Sequence, residues 1–201
     1  IFVRLRLHIS KEFLKKFKNL DFICSPTTGL NHIDLTYAKK KKITIISLKN
    51  EKDFLSKYIT ATSEFSWALL LAAWRNVPCA IKDVTKSFWD RDKFKSLQLK
   101  NRTIGIVGYG RVGQAISKYA VSFGMKVFYY DPYVDKQQGK MLDLFDIARS
   151  CDIISINCSL TKETEKLINA KFLKQVKFGA LIVNTARGEI IDHVSLFQAL
   201  N

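Results

Sequence analysis

The sequence is short of several residue types, and each shortage excludes something. Its 201 residues hold three prolines, two methionines, four cysteines and three histidines. The cysteines are Cys24, Cys79, Cys151 and Cys158, and no pair has metal-ligand spacing, so no metal site is expected. Buried, reduced thiols of a cytoplasmic protein are expected of them rather than disulfides. No apolar run approaches the roughly 20 residues that a membrane span needs, so no membrane partner is expected. The opening IFVRLRLHIS has arginines inside its apolar run and no small-residue cleavage site, which argues against a signal peptide. Repeats and low-complexity segments are absent. Acids are the scarcer charge, 18 against 33 Lys and Arg, for a net charge of +15. The excess is uneven, +11 in residues 1–100 and +4 in the rest. Residues 39–42 form the one basic run. It has no interleaved aromatics to stack bases, so a solvated helix end is expected there and no nucleic acid.

What is present is concentrated in TIGIVGYGRVGQAISKYAVSFGMKVFYYD, residues 103–131. A β-branched strand, 103–107, enters the glycine turn Gly108-Tyr109-Gly110-Arg111-Val112-Gly113. An amphipathic helix follows, with Val112, Ala115, Ile116, Tyr119, Ala120 and Phe123 on one face. A second apolar run ends in Asp131, 18 residues past Gly113. This is the order of parts that holds a dinucleotide. Gly108 permits the sharp turn, Gly110 lets backbone approach a pyrophosphate, and Gly113 lets the helix pack closely on the sheet. The helix N-terminus offers free amides and the positive end of its dipole. Asp131 would accept both ribose hydroxyls and repel a 2′-phosphate, so NAD is expected over NADP.

The rest of the chain alternates strand and helix. A strand at 21–24 leads into the turn Ser25-Pro26-Thr27-Thr28-Gly29, a helix at 33–41 and a strand at 43–47. Residues 62–75 predict a helix capped by Thr62 or Ser63, apolar nearly all round and therefore buried, with Pro78 helping to end it. A more polar helix is expected over 79–94. The charged stretch 95–102 marks the expected boundary between residues 1–98 and residues 99–201. Past Asp131, helices are expected at 142–149, 170–177 and 192–200, and strands at 152–158 and 180–185. Such alternation implies a parallel, doubly wound α/β sheet.

Four stretches carry a further reading: SPTTGLNHID (25–34), TSEFSWALLLAAWR (62–75), IGIVGYGRVG (104–113) with Asp131, and CSLTKETEKLINAKFLKQVKFGALIVNTARGEIID (158–192). In this order they resemble the D-isomer-specific 2-hydroxyacid dehydrogenase family over residues 20–201. The resemblance implies a Rossmann-type NAD-binding domain at 99–201 and, at 1–98, part of a smaller flavodoxin-like α/β substrate domain. It implies hydride transfer between NAD and a small D-2-hydroxy acid or 2-keto acid, of phosphoglycerate, glycerate/hydroxypyruvate or lactate type, and a homodimer built largely by the nucleotide domain. Arg187 would be the catalytic residue, gripping the substrate carboxylate and carbonyl. Thr28, Gly29 and Leu30, after Thr27, would hold the carboxylate with backbone N–H groups. Arg111 and Val112 would meet the pyrophosphate, Asp131 the ribose and Cys158 the adenine side, with Thr185, Ala186 and Arg187 beside the nicotinamide. Asn157-Cys158-Ser159 departs from the family's usual pattern of histidine first and proline third. Ser25 stands where phosphoglycerate-specific members often have a basic residue, which weighs against that substrate.

The family's acid/base histidine and its orienting glutamate are not found in this stretch. His8, His32 and His193 occupy no catalytic position of the family, and Glu189 is too close to Arg187 to be that glutamate. The sequence therefore reads as a piece truncated at both ends and inactive by itself. A non-catalytic NAD-sensing module of co-repressor type shares every motif seen here. A methyltransferase of similar topology would not require an arginine at 187.

Overall fold

The computed structural model describes residues 1–134 and 139–200, and the chain divides into two compact units, Ile1–Ile59 and Thr60–Asn201. The first contains α1 (Lys11–Leu14), β1 (Phe22–Ser25), α2 (Leu35–Lys40), β2 (Thr44–Ser47) and α3 (Lys52–Tyr58). Ser10 caps α1 by accepting from the Phe13 N–H. Asp34 caps α2 by accepting from Tyr37 at 2.8 Å, so that helix opens at Leu35 rather than at residue 33. β1 and β2 pair in parallel, Phe22 opposite Thr44. Val3, Ile9, Leu14, Ile23, Ile33, Ala38 and Ile43 form the core between the helices and this pair.

The second unit contains α4 (Ala61–Trp74), α5 (Val77–Val84), β3 (Thr103–Val107), α6 (Arg111–Ser122), β4 (Lys126–Tyr130), β5 (Lys140–Met141), α7 (Leu144–Ser150), β6 (Ile153–Ile156), α8 (Ala170–Leu173), β7 (Leu181–Asn184) and α9 (His193–Leu200). Its five strands run in the order β5-β4-β3-β6-β7, all parallel. Alternate residues of β3 serve opposite faces. Ile104 and Ile106 join Ile116 and Ala120 of α6 and Trp67 and Leu70 of α4 on one side. Val107 joins Ile147, Ile154, Phe172 and Ile190 on the other. Both faces are covered, which is the doubly wound arrangement expected, and the strand order reverses between β3 and β6.

A polar staple closes the amino edge of the same strands. Asp152 Oδ2 accepts from the Thr103 N–H at 2.9 Å, and Lys177 Nζ reaches Asp152 Oδ1 at 3.1 Å. Partial burial pushes the Asp152 carboxyl up, but these bonds outweigh it and hold the group below the usual carboxylate range. No helix among the described residues is long and apolar enough to cross a membrane.

The structure departs from the expected elements in several places. The helix expected over 79–94 is α5, which ends at Val84; Ser87 then takes a left-handed conformation (φ 61°) and Phe88 and Trp89 lie outside it, exposed. Pro78 does not end the preceding helix. It stands in the first turn of α5, where its missing N–H costs nothing, and left-handed Asn76 (φ 54°) makes the break. α4 begins at Ala61, with Thr60 at its cap position rather than Thr62 or Ser63. It buries Ser63, Ser66, Trp67 and Leu70 but leaves Phe65 and Leu69 exposed, so it is a one-faced helix. The cysteines are all free, but of the four expected to be buried Cys151 alone is: Cys24 and Cys158 are half-buried, and Cys79 is exposed because α5 lies on the surface. The compact units divide at 59/60, and the stretch between this division and the expected role boundary at 98/99 includes α4. Trp67 and Leu70 draw the intervening helix onto the five-stranded sheet.

Ile106 is fully buried at the centre of this sheet. Ile106→Ala is expected to lower stability by about 2–5 kcal/mol. All three tryptophans lie in this unit, so the urea midpoint followed by tryptophan fluorescence reads the loss directly.

Candidate dinucleotide site

The turn after β3 is built by steric exclusion. Gly108 has φ +91°, and a Cβ on it would lie 2.5 Å from the Cys158 nitrogen. A Cβ on Gly113 would lie 2.2 Å from the Gly108 carbonyl oxygen, so only glycine lets α6 start this close to β3. Gly110 is different: a Cβ there would meet nothing within 4 Å. The space before the α6 N-terminus is therefore open, as a pyrophosphate would require, and the first turn of α6 aims amides at it that the helix itself does not use.

Tyr109 fixes this turn from inside. Its ring is buried and stacked on Tyr129 at 4.2 Å between centroids, its hydroxyl donates to Ser117 Oγ at 2.7 Å, and its carbonyl accepts from Gln114 Nε2 at 3.1 Å. Its backbone N–H donates to Asp131 Oδ2 at 2.8 Å, and the Tyr133 N–H donates to Asp131 Oδ1 at 3.0 Å. Each carboxylate oxygen keeps lone-pair capacity for a hydroxyl. Beyond it, the Tyr133 hydroxyl donates to Glu163, and that bond and the glutamate's charge hold the phenol above its ordinary pKa.

Cys158 follows β6, directly against Gly108. Burial pushes its thiol up to about 11, and the nearby Asp131 adds to the shift, so it lines the edge as a neutral group. Asn157 donates from Nδ2 to Ser155 O and Oγ, both at 3.1 Å, while its buried Oδ1 has no partner among the described residues. An acceptor waiting at this edge suits a hydroxyl-bearing cofactor.

At the end of β7, Asn184 braces the following turn. Its Nδ2 donates to the Arg187 carbonyl at 2.8 Å, and its Oδ1 accepts from the Ala186 N–H at 3.0 Å. The Arg187 guanidinium folds back, Nη1 donating to the Ala186 carbonyl at 2.8 Å. Thr185 meets Ser66 of α4, Oγ to Oγ, at 2.5 Å.

All the sequence-designated nucleotide positions thus share the carboxyl edge of one sheet: Gly108, Gly110, Arg111, Val112 and Gly113 after β3, Asp131 after β4, Cys158 after β6, and Thr185, Ala186 and Arg187 after β7. This is the switch-point edge where ligands bind in open α/β sheets. Sequence reasoning missed Tyr109, Asn184 and Ser66. The polar side chain of Asn184 at a strand end was a usable signal, since such a residue needs a local partner.

The proposed substrate loop belongs to the other unit, Ile1–Ile59. There Thr27 Oγ1 donates to the Gly29 carbonyl at 2.8 Å, and Ser25 Oγ lies 2.8 Å from Thr27 Oγ1 and 3.3 Å from His32 Nε2. Because Thr27 spends its hydrogen on the carbonyl, Ser25 must donate to Thr27 and accept from His32, which assigns the Nε2–H tautomer. His32 is buried, and His193 is exposed on α9.

Comparison with known proteins agrees with this architecture. Residues 67–201 match the NAD binding domain of D-isomer specific 2-hydroxyacid dehydrogenases, and residues 1–52 match the catalytic domain of the same family. The chain belongs to that family and carries its NAD-binding domain. It is 31% identical over 204 residues to a D-3-phosphoglycerate dehydrogenase of Methanocaldococcus jannaschii, covering 98% of this chain and 38% of the relative. It is 30% identical to a hydroxypyruvate reductase of Thermotoga maritima, covering 98% of this chain and 63% of the relative. Among solved structures, D-lactate dehydrogenase from Aquifex aeolicus complexed with NAD and lactic acid superposes with a TM-score of 0.88 at 29% identity, covering 99% of this chain and 60% of that one. The chain thus spans less than two thirds of the length of these relatives.

The glycines give a discriminating test. Gly110→Ala is expected to fold as the parent does, with an unchanged melting temperature, and to lose at least about tenfold in NADH affinity as its methyl enters the pyrophosphate space. Gly113→Ala is expected to lose stability as well, by about 1–3 kcal/mol, because its methyl meets backbone. Thermal melts and NADH fluorescence titrations separate the two.

Proposed function

We propose that this chain binds NAD at the carboxyl edge of the five-stranded sheet and serves an oxidoreductase that interconverts a D-2-hydroxy acid and its 2-keto acid. The substrate would be of phosphoglycerate, glycerate/hydroxypyruvate or lactate type. The observation that supports this most is the convergence of the glycine turn, Asp131 and Arg187 on one edge. Bound NAD would supply the hydride chemistry. The chain's own residues bind and orient. Amides of the α6 N-terminus neutralise phosphate charge, and Asp131, already held by two backbone N–H groups, accepts ribose hydroxyls. Arg187 would leave the Ala186 carbonyl, grip a carboxylate bidentately and polarise the adjacent carbonyl. Thr28, Gly29 and Leu30 would offer backbone N–H groups to a substrate carboxylate. By role, residues 1–98 would carry the substrate loop and 99–201 the nucleotide, although α4 packs with the nucleotide-binding sheet.

The proposed compartment is the cytoplasm, in keeping with four free thiols. The proposed assembly is a homodimer. Its support is the apolar surface that α5 and the segment after it expose: Ile81, Val84, Phe88 and Trp89, the last 84% exposed.

Titration with NADH and NADPH tests the cofactor reading. Tight NADH binding with weak NADPH binding is expected, and the reverse order would defeat it. Arg187→Ala is expected to keep NADH affinity and to lose about tenfold to a hundredfold in affinity for oxamate, a 2-keto acid mimic, in the presence of NADH. Residues 1–201 alone are expected to turn over 2-keto acids about 10²- to 10⁴-fold below an enzyme that has an acid/base histidine, which a stopped assay of NADH oxidation measures.

Trp89→Ala is expected to shift the assembly toward monomer in sedimentation equilibrium while leaving the far-ultraviolet circular dichroism unchanged. A monomeric parent chain would remove the dimer from this reading.

A further inference from the structure

We propose that Ser66 is a positioning residue that, through Thr185, makes this edge selective for a carboxamide-bearing nicotinamide. The inference rests on the dinucleotide reading above. Ser66 is buried in α4, and its hydroxyl contacts two oxygens: the Thr62 carbonyl at 2.7 Å and Thr185 Oγ1 at 2.5 Å. A carbonyl only accepts, so the single hydrogen of Ser66 goes to Thr62. The Thr185 contact must then run the other way, with Thr185 donating and Ser66 accepting. The same one-way order recurs one turn earlier, where Ser63 donates to the Thr60 carbonyl at 2.7 Å and meets the Tyr119 hydroxyl at 3.4 Å.

The consequence lies at the end of β7. The hydrogen of Thr185 is spent on α4, so its oxygen can offer the cofactor only lone pairs. Thr185 stands one residue beyond β7 and two before Arg187, among the residues that the family resemblance puts beside the nicotinamide. An acceptor-only oxygen there pairs with the N–H₂ of a carboxamide and has nothing for a methyl ketone in the same place. With Ser66 removed, the Thr185 hydroxyl rotates freely, can present its hydrogen and ceases to distinguish the two.

The test uses the 201-residue chain and three probes in calorimetric titrations: NAD, its 3-acetylpyridine analogue, which has a methyl ketone in place of the carboxamide, and ADP-ribose, which has no nicotinamide. The parent chain is expected to prefer NAD to the analogue by about threefold to tenfold, the worth of one hydrogen bond. Ser66→Ala is expected to abolish that preference and to leave ADP-ribose affinity unchanged. Ser66→Thr, which keeps the hydroxyl, is expected to restore it. Thr185→Val acts from the other end and is expected to abolish the preference too, so it decides the matter should Ser66→Ala not fold. If ADP-ribose binds and the preference survives Ser66→Ala or Thr185→Val, the inference is overturned and the dinucleotide reading stands. If none of the probes binds the parent chain, both fall together.

Discussion

The closeness of α6 to β3 at Gly113 governs the second unit. No Cβ fits between that residue and the Gly108 carbonyl. Because the helix starts that near the strand, its apolar face reaches Ile104 and Ile106. The turn between them is then too tight for anything but glycine at 108, which in turn brings Cys158 of the neighbouring strand end into contact. One steric constraint thus links the core, the amides of the α6 N-terminus and the reversal of strand order, the place where ligands bind in open α/β sheets.

Charge is arranged more economically than the +15 total implies. The two acids that organise the sheet, Asp152 at its amino edge and Asp131 at its carboxyl edge, are both fixed by backbone N–H groups. Among the described residues, most of the lysines and arginines are exposed. Neutral groups stand beside Asp131 and the two arginines on the carboxyl edge: a protonated Cys158, a braced Asn184 and the hydroxyls of Ser66 and Thr185. That setting suits the proposed nucleotide and acid, whose own phosphates and carboxylate would supply the charge.

Much of this was legible in the sequence because local rules and tertiary demands agree there. β3, its glycine turn, α6 and the acid after β4 follow from periodicity and from glycine spacing alone. Legibility failed where packing or a single backbone conformation decided. The polar pattern over 79–94 reads as one helix, but left-handed Ser87 breaks it, and no side-chain pattern announces that. The apolar α4 reads as fully buried, yet only its Ser63, Ser66, Trp67 and Leu70 face is covered. β5 is two residues long, paired only with β4, and leaves no periodic trace. Tyr109 inside the glycine turn looks like a solvent-facing residue until its ring is seen stacked on Tyr129.

The grip on Asp131 has an evolutionary side. The amides of Tyr109 and Tyr133 converge on one carboxylate from two different loops. Were that carboxylate shortened to alanine in some descendant, two oriented donors would remain, stripped of their anion and suited to an incoming phosphate oxygen. The two amides that now hold the carboxylate would then be open to a phosphorylated nucleotide. On such a scaffold the side chain at position 131 would weigh toward one form of the nucleotide or the other without a basic residue being imported.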